Sequence, residues 1–304
     1  MKNLLFIPFA YEEGKNSSVN ISTNVFDTYM KNLCVSLISA RTANPDIDVV
    51  LVCNRQIPEM YEGILKEKQI QIVIEPFDFF VFDDHYRWCL AFYKLNALKK
   101  MIDNYDYDNY IFTDADVFVQ KPLDNIYLEC RDHILLYDIN EGLFEKDYQI
   151  ITDEFKSFGI DSFVTHYGGE FFAASRKNAQ LFVTECMDIY NEMQRREFIT
   201  TAGDEFITSI AAHRMPHLIR NAGAYIMRFW TGYFYLVSTR YRYNEIAIMH
   251  LPGEKRRGFL KLFDFYTKKN AFPNKNRIYR IFHLDRQPLK YRLKHFIAQL
   301  LHKG

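Results

Sequence analysis

Tyr110-Ile-Phe-Thr-Asp-Ala-Asp-Val-Phe-Val-Gln-Lys-Pro122 is the stretch on which the reading of this chain turns. An apolar run, residues 110–113, ends in Asp114-Ala115-Asp116 and follows the polar, acidic residues 103–109. That pattern reads as a buried strand reaching a sheet edge. Ligands of open α/β sheets collect at the carboxyl ends of strands. Two carboxylates held there repel each other and are costly to desolvate. A divalent cation removes that cost. Hard oxygen ligands suit Mg²⁺ or Mn²⁺, which commonly share their shell with substrate phosphates. The stretch therefore predicts a metal-dependent enzyme acting on a phosphorylated nucleotide. The competing reading is a solvated turn after a strand, since D-x-D alone is a weak motif.

Upstream, the chain alternates. Residues 3–9 read as a strand. Val25, Tyr29, Leu33, Leu37 and Ala40 form a helical stripe with a cap near Ser22. Residues 47–53 read as a strand, 58–68 as a helix, 70–75 as a strand, and 85–101 as a helix leading into the Asp114 strand. Such alternation predicts an α/β fold with a mostly parallel, doubly wound sheet. Downstream, 134–137 and 170–174 read as short strands, and 178–193 and 204–212 as helices. Residues 222–245 are irregular and strongly aromatic, and 246–249 form a last strand ending at His250.

The chain has 304 residues, 48% of them hydrophobic and 16% aromatic, enough for a full core and too apolar for global disorder. Its five cysteines are widely spaced, without a C-x-x-C, which argues against a disulfide framework or a zinc site and fits a reducing cytoplasm. The start, Met1 to Ala10, lacks a long apolar region and a small-x-small cleavage site, and no stretch approaches 18 apolar residues. Lys/Arg and Asp/Glu number 38 each, yet residues 254–304 hold 14 Lys/Arg against Glu254, Asp264 and Asp285. The remainder is correspondingly acidic, so the basic segment needs a reason. This divides the chain into 1–255, a catalytic domain, and 256–304, a basic amphipathic segment.

These residues resemble a retaining glycosyltransferase of the nucleotide-sugar-binding GT-A fold. The features are Asp114-Ala115-Asp116 with Lys121-Pro122-Leu123-Asp124 behind it, and Tyr93-Lys94-Leu95 upstream. Downstream come Tyr167-Gly168-Gly169-Glu170-Phe171-Phe172, Gly203-Asp204-Glu205 and His250-Leu251-Pro252-Gly253-Glu254-Lys255. Their order is similar to glycosyltransferase family 8. Residues 167–205 and Phe9-Ala10 look more like family 6, the blood-group transferase family. Lys255 stands one residue earlier than in the family 8 H-x-x-G-x-x-K-P-W pattern, no Pro-Trp follows it, and Gly203 stands where family 6 has His. The resemblance implies a UDP-sugar donor, UDP-galactose or UDP-glucose, Mn²⁺ or Mg²⁺ as cofactor, and transfer with retention. It implies a saccharide or lipid-linked acceptor of lipopolysaccharide, lipooligosaccharide or capsule. Phe9, Ala10, Tyr11, Lys94 and Ala115 are implied donor contacts.

The remaining motifs each admit a structural and a functional reading. His250 at a strand end reads either as a core histidine or as a third metal ligand beside Asp114 and Asp116. Gly253 lets backbone approach a phosphate, and Lys255 adds a point charge for it. Asp204 and Glu205 read either as an acidic first helical turn, favoured by the helix dipole, or as catalytic carboxylates. In the second case Glu205 faces the anomeric carbon and Asp204 holds a hydroxyl. Gly169 and Glu170 read as a strand bulge or as a flat acceptor floor with Glu170 bonding hydroxyls. Trp230 and Tyr233 are candidate acceptor platforms. His166, His213 and His217 have no such neighbours and read as structural or surface residues. Residues 274–304, with eight Lys/Arg, one acid and interleaved apolar residues, read as a helix packed on the body or as a dock on anionic membrane, with nucleic acid excluded for want of a recognition motif. The expectation is a cytoplasmic protein peripheral to the inner face of the plasma membrane. Two rivals are a catalytically idle sugar-binding member of the fold and a haloacid-dehalogenase-type phosphatase, whose nucleophile normally follows the first strand.

Overall fold

A computed structural model describes residues 1–13, 15, 24–83, 86–140, 145–161, 164–231, 243–285 and 289–301. The strands in them are β1 (Asn3–Phe9), β2 (Asp48–Cys53), β3 (Gln71–Ile74), β4 (Asn109–Thr113), β5 (Val117–Val119), β6 (Ile134–Asp138), β7 (Tyr167–Ser175), β8 (Ile219–Asn221), β9 (Ile226–Arg228) and β10 (Ile248–His250). The helices are α1 (Val25–Ala43), α2 (Glu59–Glu67), α3 (Tyr93–Asn104), α4 (Asp124–Glu129), α5 (Glu145–Lys156), α6 (Arg176–Arg195), α7 (Asp204–Arg214), α8 (Gly258–Lys269), α9 (Lys275–Ile281) and α10 (Leu289–Leu301).

The main sheet has the order β3-β2-β1-β4-β7-β6-β8. The first four strands run parallel, β7 runs antiparallel to both neighbours, and β8 is parallel to β6. Alternate residues of each strand enter opposite cores, as the two-residue period requires. Leu5, Ile7, Ile111, Phe171 and Ala173 pack on one side with α1, α2 and α8. Leu4, Phe6, Tyr110, Phe112, Phe172 and Ala174 pack on the other with α3, α6 and α7. A small sheet of order β5-β10-β9 stands beside the carboxyl end of β4.

Three differences from the sequence reading matter for the site. The helix read over 85–101 begins as a 3-10 turn, Cys89–Phe92, and continues as α3 to Asn104; such turns commonly open helices. His85 and the expected cap near Ser22 lie outside the described residues. The strand read over 170–174 is longer, because pairing to β4 and β6 on both edges draws in Tyr167, Gly168 and Gly169. Residues 258–284 share the first core: Phe259, Leu262, Phe263, Ile278, Tyr279, Phe282 and Leu284 are buried in it. On α10, Leu289, Leu293, Phe296, Ile297, Leu300 and Leu301 are exposed instead. Among the described residues no helix is long and apolar enough to cross a membrane.

Candidate active site

The turn after β4 is built to hold its carboxylates still. The Asp114 N–H donates to the Glu170 carbonyl at 3.1 Å, and the Leu251 N–H donates to the Asp116 carbonyl at 3.0 Å. Ser36 on α1 places its hydroxyl 2.7 Å from the carbonyl oxygens of both Ala115 and Val117. β10 then pairs antiparallel with β5, setting His250 opposite Val117 and therefore beside Asp116. His250 Nε2 is 3.2 Å from Asp116 Oδ2 and 3.8 Å from Asp114 Oδ2. One ligand-capable atom from each of the three residues falls within 4.8 Å of the others.

The chemistry of this set fits a divalent cation. Asp116 Oδ2 is buried and has no aligned hydrogen bond. It has only charges at ion-pair distance, Lys255 Nζ at 3.0 Å and His250 Nε2. Burial pushes the Asp116 carboxyl up, but Lys255 and His250 override it and hold it well below the usual carboxylate range. Burial lowers His250, yet Asp116 and Glu170 lift it to about 9.

A second pair of carboxylates opens α7. Gly203 precedes it with φ of 65°, in the region that favours glycine, and a Cβ there would press on Trp88. That explains glycine at this position. Asp204 pairs with Lys94 Nζ at 2.9 Å, and the same ammonium lies 3.3 Å from Asp114, so α3 bridges the two acidic groups. Glu205 faces His166 Nε2 at 3.2 Å, an Arg228 guanidinium nitrogen at 3.4 Å and the Gly169 N–H at 3.4 Å. The consecutive carboxyls diverge. Burial, only partly offset by Lys94, raises Asp204 to about 6. Glu205, half-buried, is held below its ordinary value by His166 and Arg228.

Both groups open into one cavity of about 500 Å³. Of the residues expected from sequence, Phe9, Ala10, Tyr11, Lys94, Asp114, Ala115, Asp116, Asp204, Glu205, Trp230, His250 and Lys255 line it. The Tyr11 backbone is pinned on both sides by Asn54, at 3.0 Å and 3.4 Å. Gly253 does not line the cavity; its carbonyl accepts from Arg257 at 2.9 Å. Tyr233 lies outside the described residues.

Three expectations need correction. Gly169 is no open floor, because a Cβ there would overlap Asp204 and sit 2.6 Å from Lys94 Nζ; the glycine makes room for that ion pair. Glu170 does not face a sugar. Its side chain is fully buried, with its oxygens on Arg228 and His250. The reading of His166 as unaccompanied also fails, since it is buried against Glu205. Arg228 was not foreseen at all. The available signals were a histidine two residues before the Gly-Gly step and a lone arginine closing the apolar run before Phe229-Trp230. His213 is structural, with Nε2 accepting the Thr165 N–H at 3.0 Å, and His217 is exposed.

No family model and no curated protein matches this sequence. Among solved structures, mouse xyloside xylosyltransferase 1 in its apo form is similar, with a TM-score of 0.53 and 10% identity over 82% of this chain and 97% of that one. At that identity the likeness speaks for the fold, which is the GT-A fold.

Proposed function

We propose that this chain is a metal-dependent, retaining glycosyltransferase. It moves a hexose from UDP-galactose or UDP-glucose to a saccharide acceptor of a lipopolysaccharide, lipooligosaccharide or capsule. The observation that carries this reading is one cavity, on a GT-A fold, lined by Asp114, Asp116 and His250 and by Asp204 and Glu205, the two groups joined through Lys94. Asp114, Asp116 and His250 are the candidate holders of Mn²⁺ or Mg²⁺. When bound, such an ion supplies Lewis-acid stabilisation of a departing nucleoside diphosphate.

The protein's own groups do the rest. Phe9, the last residue of β1, and Ala10 and Tyr11 after it stand at the cavity wall and receive the nucleoside. Lys255 and Lys94 supply fixed positive charge beside the diphosphate. Glu205, ionised and held from three sides, stands against the positive charge that develops at the anomeric carbon. Asp204, with its carboxyl raised to about 6, engages a sugar hydroxyl. Trp88 and Trp230 both line this cavity and are the chain's only tryptophans. They supply apolar faces for a sugar ring. The exposed basic helix α10 docks the enzyme on anionic membrane at the cytoplasmic face, near a lipid-linked acceptor.

The test is a panel of nucleotide sugars with and without Mn²⁺. Binding is read by thermal stabilisation and by tryptophan fluorescence, and turnover by release of the nucleoside diphosphate. UDP-hexose should stabilise the protein and be hydrolysed or transferred only with metal. Equal turnover in the presence of a strong chelator, or stabilisation by no nucleotide sugar, would overturn the reading.

A further inference from the structure

The Gly168-Gly169-Glu170 step of β7 puts an acid inside a paired strand, facing neither solvent nor cavity. An acid of this kind is rarely fully buried unless it is paired. Glu170 is paired twice: His250 leads on to Asp114 and Asp116, and Arg228 leads on to Glu205. We infer that Glu170 is a positioning residue for His250: it accepts a hydrogen bond from Nδ1–H and so turns Nε2 toward Asp114 and Asp116. This rests on the metal reading above.

The ring geometry carries the inference. His250 Nδ1 lies 3.2 Å from Glu170 Oε1, while Nε2, on the far side of the ring, is 3.2 Å from Asp116. A neutral imidazole has one N–H and one lone pair. Both ring nitrogens face a carboxylate, but Asp116 belongs to the metal set and Glu170 does not; a ring that held a metal through Nε2 would keep its one N–H at Nδ1, where Glu170 accepts it. Glu170 is an acceptor for a geometric reason: both of its oxygens lie on the Arg228 guanidinium, which only donates.

The carboxylate is itself immobilised. Arg228 grips it as a fork, Nε to Oε1 at 2.7 Å and a terminal nitrogen to Oε2 at 2.6 Å. Room for it exists only because residue 168 is glycine, since a Cβ there would overlap Glu170 Oε2 and sit 2.8 Å from Ile139. Arg228 also reaches Glu205 at 3.4 Å. One guanidinium thus fixes both the group that orients the metal ligand and the candidate catalytic carboxylate. Were Glu170 only half of a buried ion pair, its loss would weaken the fold and leave the metal affinity of the folded protein alone.

The test uses the full chain and Mn²⁺ alone, titrated by electron paramagnetic resonance at a temperature where circular dichroism shows each variant folded. Glu170→Gln should weaken Mn²⁺ binding by roughly 10–100-fold. In a His250→Ala background the same change should do nothing more, because Glu170 acts through the ring. Unchanged affinity in Glu170→Gln, or independent losses in the two variants, would overturn the inference. Should Glu170→Gln fail to fold, Glu170→Gln/Arg228→Met removes both charges of the buried pair and should show the same loss; wild-type affinity there would also overturn it. A second readout is independent of metal. Wild-type protein should show a downfield, slowly exchanging ring N–H proton that vanishes in both His250→Ala and Glu170→Gln. If wild-type protein binds no Mn²⁺, the functional reading falls, and this resonance alone decides the Glu170–His250 contact, its absence in wild-type protein refuting it.

Discussion

The cavity floor and helix α10 break the burial rule in opposite directions. The floor hides charge: Asp116, Glu170, Asp204 and His250 are all buried. Helix α10 displays hydrophobes: Leu289, Leu293, Phe296, Ile297, Leu300 and Leu301 are between 48 and 75% exposed. On the floor each buried charge meets an opposite one within about 3–4 Å, which is the condition under which buried charge is tolerated. On α10 the apolar residues share a helix with Lys290 and Lys294. An exposed apolar stripe flanked by cations is suited to an anionic, partly apolar surface. The charges of the floor are thus paired across the sheets, whereas the apolar side chains described on α10 are left uncovered.

The sharpest way to break this contrast is Asp116→Ala. It removes the buried carboxylate on which Lys255 and His250 converge. Metal-dependent transfer should fall by about a thousandfold or more, the equivalent of several kcal/mol, with circular dichroism unchanged. Retained activity in steady-state assays would sink the metal assignment.

Next in size is Glu205→Gln, which keeps the shape and deletes the charge that His166 and Arg228 face. The kcat should drop by about 10²–10³-fold while the donor Kd measured by calorimetry moves little. If Kd rises and kcat holds, Glu205 is a binding residue. Product configuration read by NMR is a separate check, and inversion would contradict retention.

A smaller effect separates the two neighbouring carboxyls of α7. Asp204 titrates near 6 in the folded protein against an ordinary 3.8. The folded state therefore holds the extra proton between those values. Its stabilising contribution is full below about pH 4 and is lost as pH rises through about 6. Metal-free protein should lose about 2 kcal/mol relative to Asp204→Asn between pH 4 and 6. Urea unfolding of both at several pH values measures it, and parallel curves would show that Lys94 has cancelled the burial of Asp204.

The least disturbance to the chemistry should come from deleting residues 286–304. The cut belongs after Asp285, because Ile278, Tyr279, Phe282 and Leu284 are core residues. Glu254, beside the Gly253–Lys255 loop, is also tied to His283 at 3.1 Å. The truncated protein should leave anionic vesicles at moderate salt, where screening has not yet removed the contact, and should turn over a short soluble acceptor as before. Equal sedimentation of both proteins with vesicles would refute membrane docking by α10.

Much of this contrast was legible before any coordinates. The apolar run ending in Asp114-Ala115-Asp116 announced a strand end with a charge problem. H-x-x-G placed His250 as its candidate partner, and residues 274–304 read as one basic, apolar-striped segment, although Ile278, Tyr279, Phe282 and Leu284 of it belong to the core. What escaped were the partners that meet across the sheets. Glu170 meets Arg228 across 58 residues of sequence and His250 across 80. Nothing local to Tyr167-Gly168-Gly169-Glu170 says which of these will be opposite. The motif accordingly suggested a sugar floor, when its glycines make room for two carboxylates.

By itself, the sequence determined the alternation of strands and helices, the two-residue period that divides Leu5 and Ile7 from Leu4 and Phe6, and the acidic turn after β4, because these follow from the local backbone and its nearest side chains. Only the tertiary structure decided that β7 would run antiparallel between β4 and β6 and that β10 would set His250 opposite Val117. Those registers bring His166, Glu170 and Arg228 to the floor. Each is a long-range pairing, fixed by the packing of whole elements and by the need to match every buried charge, and neither condition can be read from a short window of chain.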